Sequence, residues 1–191
     1  AIDAGSYEIA MKIFEVSKTK GMREIDHIRH GIDMGTESYS TGKLSPARVE
    51  ELCRILCEFS DIMKAYQVSA YAAYGTSAIR ESENTAILLN QIEVRTGIHI
   101  EVLSNSEQRF LDYKSIALQG EGFQKIIENG TAIVDIGGGS IQISLFDKDA
   151  LVSTQNMRLG TMRIRERLAE VESRTNHFGD IIEEMINNEL K

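Results

Sequence analysis

Apolar and polar positions alternate near the start of the chain. Ile9, Met11, Ile13 and Glu15 fall on one side, and Ala10, Lys12, Phe14 and Val16 on the other. With Ile2 ahead of a Gly5-Ser6 turn, this period of two predicts a hairpin, and a third strand is expected over residues 23–30. The period then changes. Ser45-Pro46 reads as an N-cap followed by proline at the first helical position. Val49, Leu52, Leu56, Phe59 and Met63 follow at the spacing of one buried helical face. A strand over residues 68–74 leads into Gly75-Thr76-Ser77-Ala78-Ile79-Arg80. A helix through Leu88 and Ile92 should stop at Gly97, and a strand over 98–103 and a helix over 107–118 complete the first half.

After Gly130 the pattern restarts. Ala132-Ile133-Val134-Asp135 reads as a buried strand, Gly137-Gly138-Gly139 as a turn, and Ile141, Ile143 and Leu145 as an alternating strand. A third strand is expected near residues 151–157, with helices after it. Asp3-Ala4-Gly5-Ser6 and Asp135-Ile136-Gly137-Gly138-Gly139-Ser140 thus hold the same place in two three-strand openings. This diverged repeat predicts an α/β protein with two similar lobes facing a cleft, the first over residues 1–129 and the second, partial, over 130–191.

Of the 191 residues, 42% are hydrophobic and 26% charged, with a net charge of -8. That acidity argues against a nucleic-acid face. It also means that any phosphate site must draw its positive potential locally, from loop amides, helix N-termini or a metal. No apolar run approaches the roughly 18–20 residues of a membrane span. The chain opens at Ala1 with no initiator Met, basic leader or apolar signal region, so we expect a trimmed, cytoplasmic chain. Cys53 and Cys57 lack the spacing of redox or zinc motifs and are expected on a buried helical face. His27, His30, His99 and His177 show no ligand spacing.

The two glycine turns carry the candidate chemistry. Glycine leaves backbone N–H groups free to converge on a phosphate oxygen. Ser6 and Ser140 would add hydroxyl donors, and Asp3 and Asp135, which only accept when ionised, would hold Mg²⁺ or its water.

Five ordered motifs resemble those of the exopolyphosphatase / guanosine-pentaphosphate phosphohydrolase (Ppx/GppA) family. They are Ala1 to Ser6, Thr76-Ser77-Ala78-Ile79-Arg80 with Asn84, Ser104-Asn105-Ser106-Glu107-Gln108, Asp135 to Ser140, and Arg158-Leu159-Gly160. The resemblance implies the two-lobed RNase H-like fold of actin, Hsp70 and acetate kinase. It further implies Mg²⁺-dependent hydrolysis of a terminal phosphoanhydride in polyphosphate or guanosine pentaphosphate. Gly5, Ser6, Arg80, Gly137, Gly138, Gly139 and Ser140 would bind phosphate, Asp3 and Asp135 the metal. The catalytic positions would be Gln108, Glu107 and Asp135.

Two family carboxylates are amides in this chain, at Gln108 and Gln142, which keeps shape but removes basicity and charge. Tyr7-Glu8 replaces Asn-Ser in the first loop, and the family's later glycine-rich loop has no counterpart before Lys191. General-base help is worth about 10²- to 10⁴-fold in rate, so weakened hydrolysis is expected unless Glu8 or Glu107 substitutes. The alternative is a non-catalytic sensor of polyphosphate or a guanosine nucleotide, and a sugar- or acetate-kinase-like phosphotransferase is a third, weaker reading. Arg163, Arg165 and Arg167 are read as a solvated helix side partnered by Glu166 and Glu170. Tyr71, Tyr74 and Tyr113 are read as core or rim packing, and pairing into a homodimer is left open.

Overall fold

The computed structural model describes residues 1–118, 122–128, 130–148, 150–169 and 177–190. It divides into two compact units, Ala1–Leu103 and Ser104–Lys191.

In the first unit the alternating stretch forms β1 (Ile2–Ala4), β2 (Glu8–Ser17) and β3 (Gly21–Gly31). β1 runs antiparallel to β2, with Ala4 opposite Ile9, and β3 returns along β2. On the other side of β1 lie β4 (Ala73–Gly75) and then β5 (Glu101–Val102), both parallel, giving the order β3-β2-β1-β4-β5. These two strands are shorter than the expected 68–74 and 98–103. The reason is the partner: β1 offers three residues, Ile2, Asp3 and Ala4, and each already faces one of Ala73, Tyr74 and Gly75.

Four helices accompany this sheet: α1 (Met34–Thr41), α2 (Pro46–Ala65), the single turn α3 (Ser77–Arg80) and α4 (Thr85–Thr96). Ser45 caps α2 as expected, accepting from the Arg48 amide at 3.2 Å. Val49, Leu52, Leu56 and Phe59 are buried with Ile2, Ile9 and Met11 in one core, while Met63 lies at its margin. Gly97 ends α4 at φ 71°, the left-handed conformation that favours glycine. Two expectations change. α1 had no sequence signal, because Gly35, Thr36, Ser38 and Ser40 are indifferent helix formers; its start is fixed instead by the Asp33 cap on the Thr36 amide. Cys53 is buried but Cys57 is exposed, at the edge of the apolar stripe, its Sγ facing the Arg95 carbonyl at 3.9 Å.

The second unit holds a three-stranded antiparallel sheet in the order β6 (Thr131–Ile136), β7 (Ile141–Asp147), β8 (Ala150–Met157). Its helices are α5 (Asn105–Leu118), α6 (Gly122–Ile127), α7 (Thr161–Ala169) and α8 (Phe178–Glu189). The expected buried strand at residues 132–135 is not buried. Val134 is 51% and Ile136 60% exposed, since among the described residues β6 pairs on one edge alone and its outer face lacks a cover. The compact units part at Leu103, whereas the repeat of the strand pattern begins at Gly130. α5 accounts for the interval: Tyr113 packs edge-on against Phe146 of β7, with ring centroids 5.2 Å apart.

Phe59 is fully buried in the first core, so Phe59→Ala should cost about 3–5 kcal/mol. Val94→Ala, at a position 77% exposed, should stay within about 0.5 kcal/mol in the same urea titration.

Candidate active site

The two glycine turns fold to one plan. In the first, the Gly5 amide donates to the Glu8 carbonyl three residues on, at 3.0 Å; in the second, Gly137 donates to Ser140 at 2.9 Å. The flanking ladders correspond too, Ala4 opposite Ile9 and Ile136 opposite Ile141. Each turn then rests on a helix. The Ser6 carbonyl accepts from Gly35, second residue of α1, at 2.8 Å, and the Gly138 carbonyl accepts from Met162, second residue of α7, at 3.0 Å. Carbonyls that point at a helix leave the turn's amides facing away from it. The amides of Ser6 and Tyr7, and of Gly138, Gly139 and Ser140, have no partner among the described residues. A run of unpaired N–H groups of this kind can take an anion.

In the first unit the turn is joined to the Thr-Ser-Ala-x-Arg segment 71 residues away. Ser6 Oγ lies 3.0 Å from Ser77 Oγ and 2.6 Å from the Tyr39 hydroxyl, and the last two are 2.8 Å apart. Ser6 is therefore buried in a closed hydroxyl triangle and is not a free donor at the loop surface. Comparison of the two turns makes Ser140 the counterpart of Glu8, and Gly138 the counterpart of Ser6. The Glu8 carboxylate is clamped by Arg29, whose Nη2 and Nε donate at 2.7 and 3.1 Å. Asp3 remains exposed at the foot of this turn. Crowding by protein atoms, and then the Glu8 charge, raise its pKa above the ordinary carboxylate value. Arg80 is half-buried and gives Nη1 to the Leu103 carbonyl at 2.6 Å; burial lowers its pKa.

In the second unit α7 locks the loop. Thr161 donates to the Gly137 carbonyl at 2.9 Å, and Arg163 Nε to Gly139 at 2.7 Å. Gly160 approaches so closely that a Cβ there would sit 2.2 Å from the Gly138 carbonyl carbon. Arg163 thus holds the loop instead of lying on a solvated helix side, which corrects one expectation; Glu170, named with it, lies outside the described residues. Beside the loop a polar row crosses the sheet, Asp135 opposite Gln142 and Gln142 opposite Asn156. Burial raises the Asp135 pKa. Arg109 of α5 covers the row, its Nε 3.3 Å from Gln142 Oε1 and its Nη1 2.6 Å from Thr154 Oγ1. Tyr113 donates to Ser144 one turn further along.

A family model for the Ppx/GppA phosphatase family matches residues 12–191. The chain belongs to the Ppx/GppA family. Exopolyphosphatase 1 of Mycobacterium bovis is 22% identical over 75% of this chain and 40% of its own length. A bifunctional 3-dehydroquinate synthase/phosphatase of Fusobacterium nucleatum is 21% identical over 87% of this chain and 26% of its own. The crystal structure of an exopolyphosphatase from Cytophaga hutchinsonii superposes at TM-score 0.74 with 21% identity, covering 87% of this chain and 52% of that one. The fold is accordingly the actin-like, RNase H-type one. The chain spans about a quarter to two fifths of the length of these two curated relatives.

The positions expected from the sequence to bear on chemistry, Glu107, Gln108 and Gln142, lie on α5 and the polar row. Gln108 Oε1 is buried without a partner, as are Gln142 Nε2 and Asn156 Oδ1. Glu107 is exposed and closes a capping box: Ser104 N donates to its Oε2 at 2.8 Å, and Glu107 N donates to Ser104 Oγ at 3.2 Å. Hydrogen bonding from Ser104, side chain first and backbone second, holds its pKa below the ordinary value, the reverse of what a base needs. Arg109, Asn156 and Tyr39 escaped the sequence reading, because cross-strand register and inter-helix contacts leave no local pattern. The nearest signal was the place of Arg109 immediately after the Gln108 motif.

Ppx/GppA phosphatases are generally metal-dependent. The residues present fit a divalent cation poorly. Among the described residues no three His, Cys, Asp or Glu side chains cluster, and the residue opposite Asp135 is an amide whose oxygen accepts from a guanidinium. The largest concavity described, about 480 Å³ and lined by Met11, Ile13, Val16, Met22 and Tyr66, shares no residue with either loop.

Gly160→Ala should lower the thermal midpoint well beyond Gly179→Ala, whose Cβ meets nothing within 4 Å. Overpacking costs typically 1–3 kcal/mol, and here the obstacle is backbone, which places the loss at or above the top of that range. The Glu107 cap stabilises above the unfolded carboxylate pKa, and its contribution is lost as pH falls through the lower folded value. Glu107→Gln, which keeps the cap geometry, should flatten that acid limb of stability measured by circular dichroism.

Proposed function

We propose that this chain carries the phosphate-binding loops of a phosphatase acting on the terminal phosphoanhydride of polyphosphate or guanosine pentaphosphate, with hydrolysis slowed relative to binding. The observation that carries the reading is the shared plan of the two turns, each with a glycine amide closed on the third carbonyl and a run of unpaired amides after it. Asp3, Gly5 and Ser6 would serve the first lobe, with Arg80 as a further phosphate contact. Asp135, Gly137, Gly138, Gly139 and Ser140 would serve the second. A cleft between the lobes and a division near residue 129 belong to this proposal, as do Mg²⁺ as the cofactor of the parent reaction and a cytoplasmic setting. No described helix is long and apolar enough to cross a membrane.

The slowing follows from the carboxylates. Gln108 and Gln142 cannot accept a proton from water, Glu107 is spent on its helix cap, and Glu8 is neutralised by Arg29. Neither candidate substitute is poised as a base, which favours the second reading, a binder that senses the polyanion without turnover.

The test is phosphate release by the double variant Gln108→Glu, Gln142→Glu, measured on long-chain polyphosphate and guanosine pentaphosphate with Mg²⁺. A gain of roughly 10²- to 10⁴-fold over the parent chain is expected if the loss of carboxylates limits the rate. Parent activity equal to that of the variant would overturn the slowed-hydrolase reading. Binding without release by both would establish the sensor.

A further inference from the structure

The replacement of Glu by Gln at position 142 does more than delete a charge. An arginine has donors and no acceptor, so the Gln142 oxygen must face Arg109. That fixes the side-chain amide and turns Nε2 the other way, where it is buried with no partner in a residue 2% exposed. Leaving such a donor unmet is costly, and a fold that keeps one invites an acceptor. Arg109 Nη2 also makes no bond among the described residues. The unpaired amides of Gly138, Gly139 and Ser140 precede Gln142 on the same chain, and Ser140, Gln142 and Ser144 are all buried on the face of β7 that α5 covers. The row thus gathers donors where the resemblance leads one to expect a pair of carboxylates. One carboxylate, Asp135, remains, opposite Gln142.

We propose that the row Asp135–Gln142–Asn156 takes a terminal phosphoryl group as a free anion, with Gln142 Nε2, held in this orientation by Arg109, donating to its oxygens, so that binding does not depend on Mg²⁺. This rests on the phosphate-binding reading above and adds a claim about the metal. A dication would bring positive charge to a place already supplied with N–H donors, and gain one carboxylate where it would otherwise have two. A phosphoryl oxygen needs what the row offers, since N–H donors satisfy its lone pairs without a bridging ion. Asn156 Oδ1, the unmet acceptor across the ladder, suits a protonated phosphate oxygen or a bridging water.

The experiment is calorimetric titration of the whole chain with tripolyphosphate, once in EDTA and once in excess Mg²⁺. The expected result is binding in both, with dissociation constants within about threefold. Gln142→Glu should weaken binding in EDTA roughly ten- to a hundredfold, the worth of one hydrogen bond to a charged group, with Mg²⁺ restoring it. Asn156→Asp, which adds a carboxylate to the row without touching Arg109, should show the same shift toward Mg²⁺ dependence. It serves as the control should Gln142→Glu fail to fold by circular dichroism. Binding by the parent chain in Mg²⁺ alone would overturn the proposal and leave the phosphate-binding reading intact. No binding under either condition would overturn both. Unchanged affinity in EDTA for both folded variants would remove the row from the site.

Discussion

Everything proposed for this chain hangs on one backbone arrangement, the hydrogen bond from a glycine amide to the carbonyl three residues later. Gly5 to Glu8 and Gly137 to Ser140 each close a turn between two antiparallel strands. A Cβ on Gly5 would meet the Glu8 carbonyl oxygen at 2.9 Å, so glycine there is a steric requirement. The turn alone would be slack. It is held because the first amides of a following helix, in α1 or in α7, take its carbonyls, and the same bonds satisfy orphan donors that any helix start possesses. Loop and helix start thus complete each other's hydrogen bonding, and the remaining loop amides are left for a ligand.

The two copies have drifted in opposite directions. The second keeps three glycines, and Gly160 packs at a separation that admits no side chain. The first has acquired Tyr7, 60% exposed, and Glu8, whose charge is carried off to Arg29. An exposed pair of this kind contributes little to stability, so its effect is electrostatic and local. The Glu8 carboxylate, though paired, still adds to the larger effect of burial in raising the Asp3 pKa.

Membership of the Ppx/GppA family and the details of its site are separate findings. The first rests on a match over residues 12–191, the second on side chains that the family pattern would not foretell. Gln108 and Gln142 stand at positions where carboxylates are expected, and both hold a buried amide atom without a partner.

Local spacing determined much of the fold. The alternation at Ile9 to Val16, the Ser45-Pro46 start of α2 and the Gly97 stop of α4 are encoded within a few residues of where they act, because strand period and helix caps are near-neighbour properties. The twin glycine turns were legible for the same reason. Tertiary structure decided the rest. α1, with weak helix formers, is anchored by the Asp33 cap and by the bond from its Gly35 amide to the Ser6 carbonyl. β4 and β5 are as short as β1 allows, and Val134 is exposed because β6 lacks a second neighbour among the described residues. The polar row could not be read in advance, since Asp135, Gln142 and Asn156 become adjacent through strand register alone. Nor could the fates of Glu107 and Glu8: a carboxylate's role is set by the donor nearest to it in space, and sequence fixes the charge without naming that donor.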